Sequence, residues 1–142
     1  MKEYVFDTSA LLTYIENEEG IETVESLLMK ALNEENKIFI STVTMIEVFY
    51  ISMQEQGRTV AEERLSLIEM LPLIQESLMP SITKTIGEMK AVKSMSFADC
   101  CIAGLSKSKK AILVHKDPDF PILLLMNVLF AKLHRVFVET AA

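Results

Sequence analysis

Three aspartates stand at the edges of the two apolar segments in SFADCCIAGLSKSKKAILVHKDPDF, residues 96 to 120, and two more acids, Asp7 and Glu47, sit in FDTSALL and TMIEVFYI. Carboxylates cap helices, move protons and, when gathered, hold hard cations through oxygen. Capping is open to each acid singly. Asp7 precedes TSALLTYI, Thr44-Met-Ile-Glu47 and Ser96-Phe-Ala-Asp99 have the hydroxyl-x-x-acid spacing of a capping box, and Asp117 before Pro118 suits a turn. Glu47 and Asp99, however, lie among apolar neighbours with no base alongside in sequence, where an unpaired carboxylate is costly. Gathered carboxylates also raise one another's pKa unless a cation intervenes. With no Cys or His cluster, the set Asp7, Glu47, Asp99 and Asp117 suits Mg²⁺ or Mn²⁺ rather than Zn²⁺. Such an ion keeps several waters, and a metal-activated water can hydrolyse a phosphodiester.

Residues this far apart meet only if the fold brings them together. YVF (4–6), KIFI (37–40), AILV (111–114) and RVFV (135–138) are short β-prone runs separated by helical periodicity, which implies an α/β fold with a mainly parallel sheet. LIQES (73–77), between Pro72 and Pro80, reads equally as strand or loop. Ile21, Val24, Leu27, Leu28 and Ala31 mark an amphipathic helix. Residues 44–57 read as a helix stopped at Gly57, 59–71 as one stopped before Pro72, and 81–93 as one entered by Pro80. In open parallel sheets functional groups collect beyond the carboxyl ends of strands. Asp7, Glu47 and Asp117 all follow strands closely.

A chain of 142 residues fits a single domain, 1–142, and its 50% hydrophobic and 24% charged composition excludes a disordered protein. The net charge of −6 repels a polyanion at long range, so a nucleic-acid partner requires a local basic patch or bound cations. Lys107, Lys109 and Lys110, with Lys84, Lys90 and Lys93, can flank a phosphate backbone or simply be solvated. Tyr14 and Tyr50 can stack on unpaired bases or pack, while Phe49 reads as core. The adjacent Cys100 and Cys101 read as reduced core residues. MKEYVFDTSA is too soon broken by Asp7 for a secretory signal, which implies a cytoplasmic protein. PILLLMNVLFA (121–131) is short of a membrane span and reads as a buried or partner-facing helix.

FDTSALL, the IEV of the second helical segment, SFADCCIAG and LVHKDPDF together resemble the motifs of PIN-domain ribonucleases, and by length the chain is most similar to the VapC-type toxins. The match runs in order from residue 4 to about 120. The resemblance implies an α/β/α sandwich, metal-dependent endoribonuclease activity with Mg²⁺ or Mn²⁺, a homodimer and, for a toxin, an antitoxin partner. It makes Asp7, Glu47, Asp99 and Asp117 the acidic quartet, Ser9 a hydroxyl that helps hold a metal-bound water, and Asp119 a lesser acid. His115 stands where the family more often has Thr or Ser. It reads as a structural hydrogen-bonder or as a group that meets phosphate. Two other readings of the same acids are a catalytically silent PIN-like binding or regulatory module and a housekeeping RNA-processing nuclease.

Overall fold

The computed structural model of the chain describes residues 1–92 and 95–116, together with the strand 130–132. Five strands, β1 (Lys2–Phe6), β2 (Asn36–Ser41), β3 (Ile74–Glu76), β4 (Ile112–His115) and β5 (Phe130–Lys132), form one sheet in the order β3-β2-β1-β4-β5. Every pairing is parallel, with Val5 opposite Phe39 on one side and Leu113 on the other. The chain builds outward from β1 through β2 to β3, then returns to lay β4 on the other flank of β1. The order therefore reverses between β1 and β4, and the carboxyl ends of these two strands border the crevice where parallel sheets bind ligands.

Strand periodicity explains the two cores. Tyr4, Phe6, Ile38, Ile40 and Val114 face one side and pack against Leu11, Val24, Leu28, Val48 and Ile68. The intervening Val5, Phe39 and Leu113 face the other side and meet Ile86, Met89, Cys101, Ile102 and Leu105. The first layer is built from helices α1 (Thr8–Ile15), α2 (Ile21–Leu32), α3 (Thr42–Gln56) and α4 (Arg58–Glu69). The second comes from α5 (Thr83–Val92) and α6 (Phe97–Lys109). The parallel sheet is the one the alternation of strands and helices implies, and the layering is the α/β/α sandwich that the family resemblance implies.

Local chemistry sets the boundaries of the helices that carry the site. Asp7 caps α1, accepting from the Ala10 N–H at 2.8 Å. Ser41 caps α3 by accepting from Val43, and Gly57, at φ 88°, ends it in a conformation that costs glycine little. Ser96 caps α6 by accepting from the Asp99 N–H at 3.0 Å. Lys110 closes α6 at φ 53°, and the Ala111 N–H reaches back to the Ser106 carbonyl at 3.0 Å. Proline enters at Pro80, which begins a short 3₁₀ turn before α5.

Two boundaries differ from expectation. Ile74–Glu76 is a strand, pairing with β2, which decides the open reading of residues 73–77. Phe130–Lys132, at the end of the run read as a helix over 121–131, is instead the edge strand β5, with Phe130 opposite Leu113. A short apolar run has no periodicity that separates buried strand from buried helix, so the sheet edge offered by β4 decides. Residues 121–129 and the RVFV segment lie outside the described residues.

Candidate active site

Asp7 is the first residue beyond β1, and its backbone N–H still donates to the Val114 carbonyl of β4 at 3.2 Å. Its side chain is 3% exposed, an expensive place for a charge. The Ala10 N–H at 2.8 Å and the Ser9 hydroxyl at 2.7 Å both donate to its Oδ1. Both bonds lie at the positive end of the α1 dipole, a place that accommodates a carboxyl side chain. Ser9 also accepts from the Lys116 backbone N–H at 3.1 Å, tying α1 to the chain leaving β4. The hydroxyl expected to help hold a metal-bound water is thus fixed between Asp7 and β4, at the switch point of the sheet.

Glu47 is not the acid of a capping box. α3 begins at Thr42 behind the Ser41 cap, so Thr44 and Glu47 lie inside the helix, one turn apart on one face. That face meets the start of α1. The Thr8 hydroxyl donates to Glu47 Oε1 at 2.6 Å and stands 3.4 Å from the Thr44 hydroxyl. Glu47 is half-buried, and this bond comes from a neutral hydroxyl rather than a base.

Asp99 is the third residue of α6 and half-buried. Because α6 runs back across the sheet to enter β4, its N-terminus lies toward the carboxyl ends of the strands. α3 packs against α6, and the charges on both helices are felt by the vicinal thiols. Burial raises the Cys100 pKa, with Lys90 lowering and Asp99 raising it. Burial likewise raises the Cys101 pKa, with further contributions from Cys100 and Glu47. Both thiols stay protonated at neutral pH, in keeping with reduced core cysteines.

Other expected site residues fare differently. Asp117 and Asp119 lie outside the described residues, as does Lys93. His115 belongs to β4 and is fully buried, which keeps its ring from direct contact with a polymer at the surface. Lys107, Lys109 and Lys110 stand at the C-terminal end of α6, about 12–17 Å along the helix from Asp99. Lys109 is committed elsewhere, with Nζ 2.8 Å from Glu76 Oε1 and over the Phe39 ring at 4.6 Å. Lys90, nearer Asp99 in the fold, donates to the Met95 carbonyl at 2.8 Å. Tyr50 is exposed, Tyr14 half-buried, and Phe49 half-buried beneath Arg58. Sequence reasoning passed over Thr8, whose signal was a hydroxyl directly after the first acid with the Thr44-x-x-Glu47 spacing read as a cap.

Among the described residues, no three His, Cys, Asp or Glu side chains form a group that could hold a metal ion. Asp7, Glu47 and Asp99 nevertheless offer oxygen donors alone, the chemistry that a hard divalent cation takes.

The PIN domain pattern matches residues 4–123. Among solved structures, the chain is similar to VapBC2 from Rickettsia felis, determined with a DNA fragment from its promoter, at 17% identity and a TM-score of 0.75, covering 93% of this chain and 99% of that one. It is also similar to VapBC-1 from nontypeable Haemophilus influenzae, at 15% identity and a TM-score of 0.69, covering 92% and 97%. VapC20 from Mycobacterium tuberculosis, a toxin that cleaves the sarcin-ricin loop, matches at 14% identity and a TM-score of 0.66, covering 84% and 93%. No curated protein matches significantly. The structural likenesses concern the fold, whereas the family pattern spans both flanks of the β1–β4 switch point and takes in all four acids: the chain belongs to the PIN domain family, a family of nucleases.

Proposed function

We propose that this protein is a Mg²⁺- or Mn²⁺-dependent endoribonuclease acting in the cytoplasm as the toxin of a toxin–antitoxin pair. The observation that carries the reading is the hydroxyl contact between Thr8, directly after Asp7, and Glu47, which couples two acids distant in sequence at the switch point of a PIN-family sheet. When bound, the ion supplies Lewis acidity to the phosphodiester, activates water and offsets the carboxylate charge. The protein's own part is preorganisation. Ser9 and the Ala10 N–H hold the Asp7 carboxyl, Thr8 holds Glu47, and Ser96 sets the first turn of α6 that carries Asp99. Asp117 is proposed as the fourth acid, with Asp119 a lesser one. Groups fixed in this way need little rearrangement as charge develops.

The toxin assignment and its antitoxin partner are supported by the printed descriptions of the similar VapBC and VapC structures. Homodimerisation is supported by apolar surface: Ile46 and Tyr50, one turn apart on α3, are 58% and 44% exposed, and Phe97 on α6 is 61% exposed. RNA as substrate is supported by the ribonuclease resemblance and by the description of the similar VapC20 as a sarcin-ricin loop cleaving toxin.

The test is cleavage of single-stranded RNA by the wild type, Asp7→Asn and Asp99→Asn, with and without EDTA. Each substitution and the chelator should abolish cutting while circular dichroism stays native, and undiminished cutting by both variants removes this mechanism. A silent binding module is favoured by one observation, that no three such side chains among the described residues group around an ion. It predicts no Mn²⁺ site that Asp117→Asn removes.

A further inference from the structure

We propose that Thr8 is a positioning residue of the acidic centre, its hydroxyl fixing the Glu47 carboxylate so that one oxygen is held by the protein and the other is left for the cation. The inference rests on the nuclease reading above. Thr8 is the first residue of α1, directly after Asp7, so one dipeptide supplies the first carboxylate and orients the second from a helix 39 residues further along the chain.

The hydrogen-bond arithmetic is specific. A threonine hydroxyl has one proton. The 2.6 Å separation from Glu47 Oε1 is the length of an O–H···O⁻ bond, while the 3.4 Å separation from the Thr44 oxygen is at the limit of contact. The proton therefore goes to Glu47, and the Thr44 hydroxyl is a neighbour at the limit of contact. Both threonines are buried, so water does not compete for the bond.

Among the described residues Glu47 takes no hydrogen bond besides that from Thr8. Without it, a glutamate with three rotatable bonds at a half-buried site must be ordered when the ion binds. With it, that cost is met on folding. Partners that orient a ligand in this way typically change metal affinity by about 10–100-fold.

The experiment is Mn²⁺ calorimetry on the full chain in wild type, Thr8→Val, Thr8→Ser, Glu47→Gln and the Thr8→Val/Glu47→Gln double variant, with melting of each metal-free protein. Valine matches threonine in shape, and Thr8→Ala serves if Thr8→Val fails to fold. Thr8→Val should bind Mn²⁺ at least about tenfold more weakly. Thr8→Ser should bind as the wild type does, and the double variant no more weakly than Glu47→Gln alone. A mere tie between α1 and α3 would lower the melting temperature without these binding effects.

Wild-type affinity in Thr8→Val, or an equal loss in the Glu47→Gln background, overturns the inference and leaves the nuclease reading standing. A wild-type protein that takes up no Mn²⁺ overturns both.

Discussion

Ser9 illustrates how a hydroxyl two residues from a carboxylate changes what that carboxylate can do. It donates to Asp7 at 2.7 Å and accepts from the Lys116 N–H at 3.1 Å, so Ser9→Ala removes a charge-assisted bond and leaves a backbone donor seeking water. The expected cost is about 1–3 kcal/mol of stability, measured by urea denaturation, with a fall in RNA cleavage larger than the unfolded fraction explains. The vicinal thiols carry the pH dependence that the site makes visible. Burial holds both above the ordinary thiol range, so the folded protein keeps protons that the unfolded chain releases. Their contribution to stability is complete below about pH 8.5 and falls as pH rises through the folded values. Urea midpoints should drop between neutral and alkaline buffer, and the drop should shrink in a Cys100→Ala/Cys101→Ala variant. At this scale Asp7 was legible as the cap of α1, a role that its place before TSALLTYI allows. Thr8 was not, because a buried threonine beside an acid looks like any other helix-start residue until its partner, 39 positions away, is known.

The crossing of α5 over α6 turns on Gly104. A Cβ there would stand 2.7 Å from Ile86 Cγ1, which is mid-chain in a stiff, buried side chain and cannot swing aside. Gly104→Ala gains up to about 1 kcal/mol of helix propensity but incurs about 1–3 kcal/mol of overpacking, so net destabilisation is expected in thermal melts. Because α6 carries Asp99, cleavage should fall too. Most elements could be read from the chain. TSALLTYI is α1 residue for residue, and the helix stop at Gly57 and entry at Pro80 are where backbone chemistry requires them. The start of α3 could not be read as well, since Ser41, Thr42 and Thr44 compete as caps and the end of β2 decides among them. β5 was hidden because its hydrogen-bond partner is β4, and no local pattern announces a sheet edge.

Across the whole molecule, a net charge of −6 repels a polyanion, so under the proposed function approach to RNA depends on a cation rather than on the protein's own field. Binding to the folded state alone must also stabilise it. At a hundredfold excess over Kd, Mn²⁺ should add about 2.7 kcal/mol, a rise in melting temperature that Asp7→Asn abolishes. The α/β class and its mainly parallel sheet followed from the alternation of short β-prone runs with amphipathic helices, and the sandwich from the resemblance to PIN-domain proteins. The distance of Lys107, Lys109 and Lys110 from Asp99 was not legible, because α6 sends them to its opposite end, a separation set by helix rise and invisible in their closeness along the chain.

The central claim is that acids from β1, α3, α6 and the exit of β4 share one divalent ion. Anomalous scattering from crystals soaked in Mn²⁺ tests it most directly. The account predicts a peak bounded by carboxylate oxygens of Asp7, Glu47, Asp99 and Asp117, lost in Asp7→Asn. Manganese bound elsewhere, or no peak in an accessible crevice at saturating metal, would contradict it.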